Sequence, residues 1–258
     1  MSNKRLEGKN AVISGGAAGV GGAASEIFSS EGANVAIIDI QEEVGAALAD
    51  KICREGGRAF FVKADVSSAD AVANAIREVN DRFENHIDIL FNHAGTVIIK
   101  PFLETTEQEW DWMMDVNVKS MFLMTRAALP SMLSHGNGAI VNTSSISAVA
   151  GTPMEVLYCT SKGACHMFTR AIATEYRDQG IRCNAVCPGF IRTAHGLREL
   201  NELQGLGVDV TEEDLCRLQG RICEPEEVAR VALFLASSDA SFVNGETLFV
   251  DNGMLVST

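Results

Sequence analysis

The chain has 258 residues, 47% of them hydrophobic and 21% charged, a balance suited to a globular protein with a sizeable core. Its formal net charge of −13 argues against nucleic acid and anionic membrane as partners, since both reward a basic surface. The opening Met1–Lys9 is polar and no apolar run is long enough to span a bilayer, so the expectation is no secretory signal, no membrane anchor and a cytoplasmic location.

Taken in chain order, short apolar runs suited to strands fall at Asn10–Ser14, Asn34–Asp39, Ala59–Ala64, Ile87–Asn92, Ala139–Thr143, Arg182–Val186 and Thr247–Val250. Between them, helices are predicted over Val20–Glu31, Glu42–Glu55, Ala69–Phe83, Gln108–Ser134, Ser161–Asp178 and Pro225–Ala236. This alternation predicts an α/β fold: one Rossmann-like domain over residues 1–258, with a doubly wound parallel sheet of about seven strands and helices on both faces. The stretch 194–220 breaks the rhythm. It is polar, contains Gly196, Gly205, Gly207 and Gly220, and follows the carboxyl end of a strand, where open α/β sheets bind ligands. A substrate lid is expected there, with a helix pair that only packs on the domain as the alternative. The seven cysteines are scattered and form no CxxC pair, so neither a disulfide framework nor a metal site is expected.

The first strand runs into Ser14-Gly15-Gly16-Ala17-Ala18-Gly19-Val20-Gly21 and then a helix. Glycines let the backbone approach a pyrophosphate, and the helix start offers free N–H groups and a positive dipole end. The second strand ends at Asp39, whose carboxylate can accept hydrogen bonds from both adenosine ribose hydroxyls and would repel a 2′-phosphate. Ala18 supplies no cation in the loop, and no Arg or Lys follows Asp39 directly. These features favour NAD over NADP as cofactor. Asp39 as a cap of the next helix is the lesser alternative, and the two roles are not exclusive.

Further along stand Asp65-Val66, Asn92-His93-Ala94-Gly95, Asn117, Ser145, Tyr158 with Lys162, Pro188-Gly189, Ile191 and Thr193. In this order the motifs resemble those of the classical short-chain dehydrogenase/reductase family over nearly the whole chain. Ser14–Gly21 is similar to the family's TGxxxGxG loop, with Ser14 in place of Thr. Asp65-Val66 resembles its adenine-contacting pair. Residues 92–95 resemble its NNAG motif, with His93 as a departure. Ser145, Tyr158 and Lys162 match its Ser…YxxxK signature, and Pro188-Gly189 with Thr193 matches the element holding the nicotinamide end. Asn252 stands where Gly is common. The resemblance implies cofactor contacts from Ser14, Gly15, Gly19, Val20, Gly21, Asp39, Asp65, Val66, Asn92, Ala94, Gly95, Tyr158, Lys162, Pro188, Gly189, Ile191 and Thr193. It implies catalytic roles for Asn117, Ser145, Tyr158 and Lys162, and a homotetramer paired through the helical stretches Gln108–Ser134 and Ser161–Asp178.

Chemistry supports that assignment. Tyr158 and Lys162 are four residues apart, so on a helix they share a face. A nearby ammonium, together with the charge of oxidised nicotinamide, favours the phenolate and lets Tyr158 exchange a proton with a hydroxyl. Ser145 can hold the substrate oxygen beside it. The resemblance adds nicotinamide-ribose binding by Lys162 and a water held by Asn117. The expected reaction is hydride transfer between NAD(H) and a secondary alcohol or ketone. A 3-oxoacyl thioester reductase and a non-catalytic NAD-binding sensor are the rivals. His93 and His195 lie near the site loops without a visible triad partner. Val97, Pro153, Met154, Leu157 and Phe190 are equal candidates for pocket lining and core.

Overall fold

A computed structural model describes residues 4–256; Met1–Asn3, part of the polar leader, lie outside the described residues. The strands are β1 (Asn10–Ser14), β2 (Asn34–Asp39), β3 (Arg58–Lys63), β4 (Ile89–Asn92), β5 (Gly138–Thr143), β6 (Ile181–Pro188) and β7 (Thr247–Val250). They form one parallel sheet in the order β3-β2-β1-β4-β5-β6-β7. The helices are α1 (Gly19–Ser30), α2 (Glu42–Arg54), α3 (Ala69–Arg82), α4 (Glu107–Met114), α5 (Ser120–Ser134), α6 (Val156–Glu175), α7 (Ala194–Gly205), α8 (Glu212–Gln219) and α9 (Pro225–Ala236).

Strand residues alternate between two cores. On one face Ala11, Ile13, Val35, Ile37, Ile89 and Phe91 pack with α1, α2 and α9. On the other, Val12, Ala36, Ile38, Leu90 and Ile140 pack with α3, α5 and the end of α6. Both faces of the sheet are therefore covered, which explains why the strands read as continuous apolar runs. The chain leaves β1 toward β2 and β3, then returns to place β4 on β1's other side. That reversal opens a crevice at the carboxyl ends of β1 and β4, the usual ligand position in such sheets.

Two elements depart from the sequence expectation. The helix expected over Gln108–Ser134 is two helices joined by a π-helical turn, Asp115–Lys119, so an extra residue is accommodated beside the crevice. A capping box at Thr106 and Glu109 fixes the start of α4. The helix expected over Ser161–Asp178 starts five residues earlier, at Val156 with Glu155 as its N-cap residue, so Tyr158 and Lys162 lie on one helix. Residues 194–220 hold two helices, α7 and α8, over a small core of Leu200, Leu215 and Ile222.

Candidate active site

A cavity of about 850 Å³ opens at the carboxyl ends of β1, β2, β4, β5 and β6 and is bounded on its outer side by α7 and α8. At one end lies the glycine-rich turn. Gly15 and Gly19 have φ of +66° and +55°, a region that disfavours side chains. A Cβ on Gly15 would sit 2.8 Å from the Ala94 Cα, so a side chain there would press on the β4 loop. A Cβ on Gly21 would collide with the Gly15 carbonyl, so α1 packs directly on its own entry turn. Ala18 caps α1 with no side-chain hydrogen bond, which leaves the first-turn N–H groups for an anion. A cradle that excludes side chains, beside an uncapped helix start, fits a dinucleotide pyrophosphate.

Asp39 is buried at the end of β2. One carboxylate oxygen accepts the Ala17 N–H at 3.1 Å and the other accepts the Gln41 N–H at 3.0 Å. Ala18, Ile38, Ile40 and Gln41 surround it along the cavity, with no cation among them. Asp65, Val66, Ala94 and Gly95 continue this wall, and the Asp65 carboxylate takes both the N–H and the hydroxyl of Ser67.

Ser14, Gly21 and Asn92 stand behind the wall. The Ser14 hydroxyl accepts the N–H groups of His93 and Ala94 at 3.1 and 3.3 Å, joining the ends of β1 and β4. Asn92 Nδ2 donates to Thr125 and to Asn142, tying β4 to α5 and β5. These residues shape the loops that face the cavity.

The other end of the cavity gathers Ser145, Tyr158 and Lys162. Ser145 ends the β5 loop, and its hydroxyl caps a 3-10 turn by accepting the Ser147 N–H at 3.1 Å. Ser144 turns its hydroxyl to the Lys162 carbonyl instead. Behind Ser145, the Cys187 thiol donates to its carbonyl at 2.7 Å. Lys162 Nζ donates to the Thr143 carbonyl at 3.0 Å and lies 5.5 Å from the centre of the Tyr158 ring.

Burial pushes the Tyr158 phenol well above its ordinary value; the Glu199 carboxylate adds to this, the Ser145 hydroxyl opposes it, and Glu155 and Cys187 add further. Burial pushes the Lys162 amine down. In the protein alone, desolvation thus outweighs the downward pull expected from Lys162, and Tyr158 rests as a neutral phenol.

Asn117 lies in the π turn and is buried. Its Oδ1 accepts the Thr96 N–H at 2.8 Å, and its Nδ2 donates to the Thr96 carbonyl and the Ser161 hydroxyl at 2.8 and 3.0 Å. The side chain braces the β4 loop against the helix carrying Tyr158 and makes no direct hydrogen bond to Lys162.

Pro188, Gly189, Ile191 and Thr193 line the cavity between its two ends. Thr193 caps α7, with its hydroxyl accepting the Gly196 N–H at 3.0 Å. His93 and His195 also line it; burial lowers their pKa to about 3 and about 4, so both are neutral near pH 7. His93 Nδ1 is 3.0 Å from the Thr143 hydroxyl. Of the apolar candidates, Pro153 and Phe190 face the cavity, while Val97 and Leu157 are buried outside its lining.

Two lining residues had escaped sequence reasoning. Glu155 sits three residues before Tyr158, one helical turn away, and Glu199 projects from α7. The first carried an i,i+3 signal; the second depended on how α7 lies over the sheet. Gln219 was also missed. It clamps the end of α8 to the loop after β6 through both the N–H and the carbonyl of Phe190. Among the described residues no group of three or more His, Cys, Asp or Glu could hold a metal ion, and no helix is long and apolar enough to cross a membrane.

Comparison with known proteins places these features in context. A family model described as enoyl-(acyl carrier protein) reductase matches residues 15–255. Dehydrogenase/reductase SDR family member 6 of Aquarana catesbeiana is 38% identical over 96% of this chain and 98% of its own length. Cyclopentanol dehydrogenase of Comamonas testosteroni is 36% identical over 96% of this chain and 98% of its own. Among solved structures, a gluconate 5-dehydrogenase from Burkholderia cenocepacia J2315, in complex with NADP and tartrate, superposes with a TM-score of 0.89 at 32% identity, covering 98% of both chains.

Proposed function

As the chain belongs to the short-chain dehydrogenase/reductase family, we propose that it is an NAD-dependent alcohol dehydrogenase or ketone reductase acting on a secondary carbinol or its ketone. Oxidoreduction with a nicotinamide dinucleotide is the family's chemistry; the choice of NAD and the residue roles are this reading's own. The observation that carries it is the joint placement of Tyr158, Ser145 and Lys162 at one end of a cavity whose other end is the glycine cradle. The bound nicotinamide supplies the hydride donor or acceptor. The cradle and the start of α1 hold the pyrophosphate, and Asp39 takes the adenosine ribose.

Tyr158 then moves the proton. In reduction its neutral phenol gives a proton to the substrate oxygen; in oxidation it accepts one. Ser145 holds that oxygen within reach of the phenol, and Lys162 favours phenolate by its charge and binds the second ribose. Asn117 keeps the β4 loop and α6 in register, so that Gly95 and Lys162 face the same space.

The Asp39 surroundings support NAD. A 2′-phosphate there would meet a carboxylate and no cation. Helices α7 and α8 act as a lid: Glu199, Leu200 and Leu203 of α7, Leu215 of α8, and Val208 of the loop between them face the cavity. We also read the functional unit as a homotetramer in the cytoplasm.

The test is a panel of secondary alcohols offered with NAD and with NADP. The expected result is turnover of at least one alcohol, with kcat/KM at least about tenfold higher for NAD. Tight NADH binding with no turnover of any alcohol or ketone would overturn the catalytic reading.

A further inference from the structure

We propose that Glu155 and Glu199 select the substrate, holding a second hydroxyl of a neutral diol or hydroxyketone and turning away molecules that carry a carboxylate. The inference rests on the hydride-transfer reading above and names the substrate class for it.

The two carboxyls enter the cavity from different elements. Glu155 is the N-cap residue of α6, three residues before Tyr158, and is 2% exposed while still lining the cavity. Its position is fixed by the turn before it. Met154 has a φ of +66°, rare for a side-chain-bearing residue, and its carbonyl accepts the Lys100 N–H at 2.8 Å. Glu199 comes from α7, on the lid side. Both carboxyls act on the Tyr158 phenol, and Glu155 acts on Glu199, so the three groups share one low-dielectric space.

Among the described residues, the two cations on this part of the cavity wall, Arg198 and Lys162, are each engaged. Arg198 offsets the charge of Glu199 and lies 3.5 Å from Glu202 on α7 itself. Lys162 donates to the Thr143 carbonyl beneath the phenol. His93 and His195 are kept neutral by burial. On the Glu155 side the neighbour is the Ser147 hydroxyl.

Burial raises both: Glu155 to about 7 against the opposing Ser147 hydroxyl, and Glu199 to about 8, where the Glu155 charge adds and Arg198 opposes. Near neutral pH the two therefore retain at least one proton, and together offer both a donor and acceptors. A hydroxyl can use both. A substrate carboxylate would meet negative charge and acceptor oxygens in a site with little water to screen them.

The experiment uses the full chain with NAD and three matched probes: cyclopentanol, cyclopentane-1,2-diol in both stereoisomers, and 2-hydroxycyclopentanecarboxylate. The diol is expected to exceed both others by at least about tenfold in kcat/KM. Glu199→Met, which removes both donor and acceptors at similar size, is expected to cut the diol-to-alcohol ratio by about tenfold, chiefly through KM. Glu155→Met is expected to do the same, with circular dichroism reporting its fold; if that variant does not fold, Glu199→Met alone decides.

A second readout is binding of 2-hydroxycyclopentanone to the NADH complex of Tyr158→Phe, in which turnover is suppressed, followed by NADH fluorescence; it should weaken when either Met substitution is added. Turnover of cyclopentanol with a diol-to-alcohol ratio near one, a preference for the hydroxy acid, or an unchanged ratio in folded Glu199→Met would overturn the inference and leave hydride transfer standing. Failure of every alcohol and ketone would remove both.

Discussion

The Asp39 carboxylate accepts the Ala17 N–H at 3.1 Å, so the acid that ends β2 also braces the glycine-rich turn after β1. In the proposed reading, one residue thereby couples cofactor choice to the shape of the cradle. Removing the acid and supplying a cation should shift preference. Asp39→Ala combined with Ile40→Arg is expected to raise kcat/KM for NADP relative to NAD by at least about tenfold. Initial-rate kinetics with both dinucleotides check this. A wild-type protein that already prefers NADP would contradict the role given to Asp39.

Gly15 makes a narrower case. Its φ of +66° and the 2.8 Å approach of a Cβ to the Ala94 backbone leave no room for a methyl group. Gly15→Ala should cost about 1–3 kcal/mol of stability and weaken NADH binding by at least about tenfold. Gly151→Ala is the comparison, since a Cβ there meets nothing within 4 Å. Denaturation and NADH titration of the two variants should separate them clearly.

Stability should depend on pH with a definite sign. Glu155 and Glu199 have folded pKa values of about 7 and about 8, above the ordinary 4.5, so the folded state holds protons that the unfolded state has lost. Their contribution is complete below about pH 4.5 and is lost as pH rises toward 8. His93 and His195, lowered from 6.5 to about 3 and about 4, act in the opposite sense, but only below about pH 6.5. From pH 6.5 to 8.5 the carboxyls set the slope, and Tm should fall. In Glu155→Gln with Glu199→Gln that fall should flatten. A wild-type Tm that rises across this window would contradict the placement of the pair.

Assembly gives a further expectation. Phe122 on α5 is 45% exposed and Met167 on α6 is 61% exposed, on the two helices the resemblance pairs between subunits. Light scattering should report a tetramer, and Phe122→Glu with Met167→Glu should reduce it to smaller species. A monomeric wild type at working concentration would remove the expectation.

Much of this molecule was legible in the sequence, for physical reasons. Strands buried on both faces leave unbroken apolar runs, and all seven strand positions are found in the sheet with ends moved by a few residues at most. The glycine turn was legible because only glycine suits positive φ beside another backbone, as at Gly15. What stayed hidden came from three-dimensional placement. The π turn around Asn117 carries no break residue, so Gln108–Ser134 read as one helix. The early start of α6 carries no cap signal, since Glu155 makes no side-chain cap hydrogen bond. Ser14 and Asn92 matched cofactor motifs, yet their polar atoms join strand ends behind the cavity wall. Glu199 could not be assigned from a polar, glycine-containing stretch before α7 was seen over the sheet.

The central claim is that Tyr158 exchanges a proton with the substrate while the dinucleotide is held independently of it. Tyr158→Phe removes only the hydroxyl and leaves the ring beside Lys162. The most direct measurement is single-turnover alcohol oxidation by wild type and Tyr158→Phe, paired with NADH titration of both. The account predicts a rate loss of about 10²–10⁴ in the variant, with NADH affinity kept within about twofold. A variant that turns over alcohol at the wild-type rate would contradict it.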